Sequence, residues 1–196
     1  MLRLTLTRWS ERSEALSASA YDQRWERLEA SGHDVHGEAD LIHSFRPNKI
    51  CDAGCGTGRV AIELSRRGFE VVGVDLDQAM LEAARGKAPQ ISWVLADLVS
   101  FETEERFDLI ALPGNVMIFL QPGTEHQTIS NLVNFMTEDG ILITGFQLSK
   151  ATLQLNDYDS AAEKSGLELA GRWATWGRAP FTGGDYVVSA HRIQLN

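Results

Sequence analysis

A chain of 196 residues, 43% of them hydrophobic, is long enough to bury a substantial core in one domain. Its formal net charge of -9 argues against a basic groove for nucleic acid, because phosphate binding draws on clustered Lys and Arg. No stretch approaches the ~20 apolar residues of a membrane span, and Met1 to Ser19 lacks an apolar core of secretory length. Cys51 and Cys55 stand inside a glycine-rich turn, away from disulfide or zinc-knuckle spacing, which points to buried thiols in a reducing compartment, with a redox pair as the lesser alternative. The expected protein is cytoplasmic, a monomer or homodimer, with a small-molecule partner and neither nucleic acid nor membrane.

In chain order, Met1 to Ser19 is polar and weakly patterned, and is expected as a partly ordered arm placed to fold over a ligand. Tyr21 to Ala30 and Glu38 to Phe45 suggest helices separated by the breaker Ser31-Gly32-His33-Asp34. Residues 1–45 thus form an arm with cap helices, and residues 46–196 form the core of the same domain. Tyr21, Trp25 and Leu28 recur at helical spacing, the pattern of a core stripe.

Asn48 to Cys51 leads into a first strand, and Thr57 to Arg67 reads as a helix stopped by Gly68. Phe69 to Val74 is a β-branched run suited to a strand buried on both faces, ending at Asp75. Asp77 caps a helix through about Arg85. Ile91 to Leu95 and Phe107 to Leu112 are the next strands. Thr124-Glu125-His126-Gln127 has capping-box spacing, and Ile129, Leu132, Val133 and Met136 mark an amphipathic helix. Glu138-Asp139-Gly140 turns the chain into a strand from Ile141 to Phe146. A helix from Asp157 to Ser165 follows, then strands Leu167 to Trp176 and Tyr186 to Gln194 as an antiparallel hairpin. This alternation predicts an α/β fold, doubly wound around a mostly parallel sheet, with helices on both faces.

The segment Ile50-Cys51-Asp52-Ala53-Gly54-Cys55-Gly56-Thr57-Gly58-Arg59 is an apolar run that ends in an acid and breaks into alternate glycines ahead of a helix. Glycines there remove Cβ atoms where a strand turns sharply, so the backbone approaches a ligand and the helix presents free N–H groups. A dinucleotide fingerprint reads G-x-G-x-x-G, whereas this segment reads G-x-G-x-G, which steers away from NAD. In an open parallel sheet, ligands bind beyond the carboxyl ends of the strands. Asp52, Asp75, Asp97 and Pro113-Gly114-Asn115 all lie at or near such ends. One acid after a strand is ordinary turn chemistry; four polar strand ends on one crevice point to a shared ligand.

With these acids, the glycine segment and Val94-Leu95-Ala96-Asp97-Leu98 resemble the motifs of class I S-adenosylmethionine-dependent methyltransferases, over about His36 to Gln194. The resemblance implies a Rossmann-like, seven-stranded sheet, S-adenosyl-L-methionine as cofactor, S-adenosyl-L-homocysteine as product, and in-line methyl transfer to a small-molecule acceptor. It implies that Asp52, Ala53, Gly54, Cys55 and Gly56 surround the methionine moiety, with Arg59 either pairing with its carboxylate or solvated. Asp75, followed by Leu76, would take both ribose hydroxyls. Met80 would pack on adenine or ribose, or simply fill core. Ala96, Asp97 and Leu98 would meet the adenine. Phe107 to Met117 resembles motif IV, with Pro113, Gly114 and Asn115 near the transferable methyl. The Asn-Pro-Pro-aromatic form used on exocyclic amines of bases is absent.

Glu104, Glu105 and Asp108 read either as a metal cluster of the catechol-type O-methyltransferases or as a solvated acidic turn; the spacing favours the turn, and no metal is expected. His36 belongs either at the active-site mouth or in a helix cap. If the acceptor must lose a proton, His36 and Tyr21 are the candidate bases, ahead of His126. Phe119, Trp176 and Tyr186 are available for an apolar or planar acceptor. A non-catalytic S-adenosylmethionine sensor or scaffold stays open. A nicotinamide-dependent oxidoreductase predicts G-x-G-x-x-G and a Tyr-Lys pair, and the sequence has neither.

Overall fold

The computed structural model describes Trp9, residues 17–149 and residues 151–194. Helices α1 (Ala18–Ala30) and α2 (Gly37–Ser44) precede β1 (Lys49–Ala53), α3 (Arg59–Arg66), β2 (Glu70–Asp75), α4 (Gln78–Lys87) and β3 (Ser92–Leu95). Then come β4 (Phe107–Leu112), the short α5 (Val116–Phe119), α6 (Glu125–Val133), β5 (Met136–Gln147), α7 (Leu155–Lys164), β6 (Leu167–Trp173) and β7 (Tyr186–Ile193).

The strands form one seven-stranded sheet in the order β3-β2-β1-β4-β5-β7-β6. Strands β3, β2, β1, β4 and β5 pair in parallel, and β7 runs antiparallel to both its neighbours. The order in which strands are added to the sheet reverses between β1 and β4, which opens a crevice at their carboxyl ends. Successive strand residues point to opposite faces: Leu109 and Ala111 of β4 pack with Leu41, Val60, Leu64 and Leu81 under α2, α3 and α4. Ile110 and Leu112 pack with Ile129, Leu132, Tyr158 and Ala161 under α6 and α7. The sheet is therefore covered on both faces, as the alternation predicts. No helix among the described residues is long and apolar enough to cross a membrane.

Several boundaries move for local reasons. The Ser17 side chain accepts from Ala20 N at 3.2 Å, so α1 starts at Ala18, ahead of the expected Tyr21. Gly58, at φ 84°, is left-handed, so α3 starts at Arg59 and not at Thr57. The capping box at Thr124 does not form, because its hydroxyl donates to Gln121 O at 2.7 Å. Met136 leaves α6 and pairs with Phe107, and residues 137–140 bulge within the long β5 instead of forming a turn before it. The stripe of Tyr21, Trp25 and Leu28 is not core, since α1 buries none of its residues. Of the expected N-terminal arm, all but Trp9 and residues 17–19 lies outside the described residues.

One polar group of the core constrains stability. Thr144 Oγ1 donates to the Tyr158 hydroxyl at 2.8 Å, and that hydroxyl lies 3.2 Å from His191 Nδ1, all buried between β5, α7 and β7. The donors run in one direction when His191 is neutral and accepts at Nδ1. Burial holds His191 down to about 4. Because the unfolded chain takes up the proton first as pH falls, this stability is complete above about pH 6.5 and is lost as pH drops toward the folded value. Urea midpoints of the wild type and His191→Gln at about pH 7 and about pH 4.5 should show the wild type losing about 2–3 kcal/mol more than the variant. Equal losses in the two proteins would exclude His191 as the titrating group.

Candidate functional site

The carboxyl ends of β1 to β4 open on a cavity of about 560 Å³, closed from above by α1, α2 and the loop between β6 and β7. The turn after β1 is its floor. Gly54 N and Cys55 N donate to Val74 O at 2.7 and 3.0 Å, which straps the turn to β2. Gly54, Gly56 and Gly58 all have positive φ, but they do different things. A Cβ on Gly54 would lie 2.4 Å from Val116, and one on Gly58 would lie 2.5 Å from the Trp93 ring. A Cβ on Gly56 would meet nothing within 4 Å. Packing thus demands glycine at 54 and 58, and Gly56 is the one with open space beside it.

The turn is also tied to the acid that ends β2. Gly56 N donates to Asp75 Oδ2 at 2.7 Å, and Asp77 N donates to Oδ1 at 2.9 Å. The Leu76 N–H adds a third backbone contact to this buried carboxylate. Burial pushes its pKa up against the pull of these N–H groups. Asp52 lies beneath the turn, its Oδ2 accepting from Ala61 N in the first turn of α3 at 3.0 Å. Its Oδ1 is buried without a partner among the described residues, and burial pushes its pKa up to about 7.

Leu76 and Met80, from the β2 end and α4, line the same cavity, as do Asp97 and Leu98 after β3. Asp97 Oδ1 accepts from Val99 N at 3.0 Å, and Leu98 O accepts from Asn131 Nδ2 at 3.0 Å, so this turn is fixed at both ends. Pro113, Gly114 and Asn115 complete the wall. Asn115, at φ 72°, donates its N–H to Gly145 O and accepts from Gln147 N at 2.7 Å on Oδ1, which clamps the end of β4 to β5.

Of the residues expected here, Ala53 and Ala96 are not on the wall. Ala53 is buried in the core, and Ala96 packs against the core while its N–H donates to Asp75 O. His36 is also off the wall, at the N-cap position of α2 with Nδ1 buried and unpartnered among the described residues. His126 is exposed on α6. Tyr21 does reach the cavity, and burial raises its phenol pKa.

Arg59 lies on the wall but is already engaged. Its Nη2 is 2.6 Å from Glu38 Oε1, Nη1 is 3.1 Å from Glu38 Oε2 and also donates to Val35 O, and the guanidinium stacks 3.7 Å from the Trp25 ring centroid. It holds α1 and α2 to the glycine turn. Asp22 adds to that docking by accepting from Thr57 Oγ1 at 2.5 Å and pairing with Lys87 at 2.8 Å.

Phe119, Trp176 and Tyr186 line the other side. Trp176 Nε1 donates to the Tyr186 hydroxyl at 2.9 Å, and the indole covers Gly145, where a Cβ would lie 2.3 Å from the ring. Trp9 stacks edge-on against Phe119 at 5.4 Å and donates to Asp77 Oδ2 at 3.0 Å. The acids Glu105 and Asp108 serve the opposite end of the strands. Asp108 accepts from the N–H groups of Asn48 and Lys49, which hold its pKa down, and Lys49 pairs with Glu105 and Glu70. Among the described residues, no group of three or more His, Cys, Asp or Glu is placed to hold a metal ion.

The sequence reading missed Arg24, Trp25 and Glu38 as wall residues. The signal was a charged residue within an aromatic stripe: Tyr21, Arg24, Trp25 and Leu28 share the i, i+3, i+4, i+7 face of α1.

A methyltransferase-domain family matches residues 50–140. The crystal structure of a TehB-like S-adenosylmethionine-dependent methyltransferase from Corynebacterium glutamicum superposes with a TM-score of 0.83 at 36% identity, covering 90% of this chain and 98% of that one. Magnesium protoporphyrin IX methyltransferase from Synechocystis, solved with bound S-adenosylmethionine, shares the fold at a TM-score of 0.70 and 20% identity, covering 98% of this chain and 100% of that one. Nodulation protein S of Bradyrhizobium diazoefficiens is 31% identical over 134 residues, 64% of this chain and 63% of that protein. The chain spans about half the length of the curated relatives it matches.

The engaged Arg59 has a measurable consequence. Its side chain and that of Glu38 are 14% and 10% exposed, so Glu38→Ala leaves a largely buried cation without its carboxylate. The variant should lose about 3 kcal/mol in urea denaturation, with Glu38→Gln losing less because one acceptor oxygen remains. An unchanged midpoint in Glu38→Ala would mean that the pair does not hold the cap.

Proposed function

Because the chain belongs to the family of S-adenosylmethionine-dependent methyltransferases, we propose that it transfers a methyl group from S-adenosylmethionine to a small-molecule acceptor by in-line displacement. The observation that carries this reading is the buried Asp75 carboxylate at the carboxyl end of β2, on the cavity wall, its two oxygens positioned by backbone N–H groups. Paired acceptors without a competing donor suit the two hydroxyls of a ribose. The open space beside Gly56 and the Asp52 Oδ1, unpartnered among the described residues, suit the polar methionine portion beside them. When bound, the cofactor supplies an electrophilic methyl carbon on a positively charged sulfur.

The residues divide the work by position. Asp75 and Leu76 hold the ribose end; Met80, Asp97 and Leu98 flank the adenine; Asp52, Gly54, Cys55 and Gly56 carry the methionine portion. Arg59 is assigned to holding the cap, since Glu38 and Val35 occupy its terminal nitrogens. Tyr21, Pro113, Gly114 and Asn115 border the space where acceptor and methyl meet, together with the aromatic wall of Trp176 and Tyr186. Displacement at a methyl carbon depends mainly on holding nucleophile and methyl in line, and this enclosed wall supplies positioning and excludes water. Tyr21 and Tyr186 both stay protonated, Tyr186 being pushed up to about 12 by burial, so they act as hydrogen-bond donors. We read the cap helices and the sheet as one methyltransferase domain on this basis.

Calorimetry should detect S-adenosylmethionine and S-adenosylhomocysteine binding and give no heat with NADH. Asp75→Ala should weaken S-adenosylhomocysteine by at least ~1.5 kcal/mol, since a charged acceptor to the ribose is lost. No adenosyl binding at millimolar ligand would sink the reading, and an unchanged affinity in Asp75→Ala would take that residue out of the site. Binding without homocysteine release across a broad acceptor screen would identify a sensor instead of an enzyme.

A further inference from the structure

The charges on the cavity wall nearly all have partners. Glu38 pairs with Arg59. Asp75 accepts from Gly56 N and Asp77 N, Asp97 from Val99 N and Asp52 from Ala61 N. Asp34 Oδ1 accepts from His36 N at 2.8 Å, at the amino end of α2. The remaining charge on the wall is Arg24, which has no hydrogen bond or ion pair with any of the described residues. It stands on α1 between two aromatic wall residues, Tyr21 and Trp25, with its side chain exposed at the cavity. A planar guanidinium with five donors and no acceptor is complementary to a carboxylate.

The wall that Trp176 and Tyr186 form in the same cavity has the chemistry of a flat acceptor. The Trp176 indole is fixed by its seat on Gly145 and by its bond to Tyr186, so its position is set before any ligand arrives. Because the Tyr186 oxygen already accepts from Trp176, its own proton is the group left to offer, and no described residue takes it. The cavity therefore presents a rigid ring and one neutral donor on this wall and, from α1, a cation with no partner among the described residues.

We propose that the acceptor is a small, flat organic acid, its body lying on the Trp176 and Tyr186 wall and its carboxylate bound by Arg24. This rests on the methyltransferase reading and adds the chemical class of the acceptor, with Arg24 as the positioning residue that selects it. The methionine part of the cofactor also carries a carboxylate, and the experiment must tell the two sources apart.

Three probes of matched shape and different charge serve: cinnamate, cinnamamide and cinnamylamine, each titrated by calorimetry into protein saturated with S-adenosylhomocysteine. Cinnamate should bind at least about tenfold tighter than the other two, the discrimination of one charge-assisted pair. Arg24→Gln should abolish the preference, Arg24→Lys should restore most of it, and Tyr186→Phe should weaken cinnamate without changing S-adenosylhomocysteine. In parallel, Arg24→Gln is titrated with S-adenosylhomocysteine and with 5′-methylthioadenosine, which lacks the carboxylate. Equal affinities to wild type for both support an acceptor role. A loss of about tenfold for the first alone assigns Arg24 to the cofactor and overturns the proposal. So does tighter binding of cinnamylamine, a preference that survives Arg24→Gln, or no discrimination among the three probes. Failure of S-adenosylhomocysteine to bind the wild type appears as a separate result and removes the methyltransferase reading itself.

Discussion

The site depends on a single constraint: the turn that leaves β1 must be held against the end of β2. Two N–H groups of that turn reach Val74 O and a third reaches Asp75 Oδ2. The left-handed glycines make this geometry accessible without strain. Trp93 then locks the same region from below, lying against both Gly58 and Gly73 and donating its indole N–H to Ala88 O at 2.8 Å. Once turn, strand end and indole are fixed, the amino end of α3 and the carboxylates of Asp52 and Asp75 have no freedom to choose other positions.

What lies above this floor is docked differently. Helix α1 buries no residue, and its ties to the floor are polar or stacked: Asp22 to Thr57 and Lys87, and Trp25 to Arg59. Such contacts are individually weak where solvent reaches them, and stronger where burial removes it. The largely buried Glu38–Arg59 pair links α2, itself seated by its buried Ala39, Leu41 and Ile42, to the first residue of α3. Arg59, expected either to pair with a ligand carboxylate or to be solvated, lies on the cavity wall and is bonded to Glu38 and Val35.

This difference explains what could be read from the chain. The strands were legible because β-branched runs buried on both faces leave a continuous apolar signature, and Phe107–Leu112 stands where it was expected. The cap at Asp77 was legible because its side chain serves neighbours two and three residues ahead. Met136 was misread because it continues the helical spacing from Leu132, whereas pairing with Phe107 across the sheet decides its state. The partner of Arg59 is 21 residues away on another helix, and no local spacing encodes that. Helical periodicity marks Tyr21 and Trp25 as facing something apolar; it does not distinguish a core from a cavity.

The same distinction separates the two halves of the cavity. On the floor, the atoms that position Asp75 and Asp97 are backbone N–H groups, supplied by any sequence that makes these turns. The acids and glycines that require such turns are therefore the part of the site from which the family resemblance is read. On the side proposed for the acceptor, the groups are side chains from α1 and from the segment joining β6 to β7, and their meeting depends on how those elements dock. Gly145 is the one backbone feature there with a fixed meaning, since a Cβ would exclude the indole of Trp176 and move Tyr186 with it. Changes in those elements can alter the Trp176 wall while leaving the floor intact, so the floor is written locally in the chain and the opposite wall only in its tertiary structure.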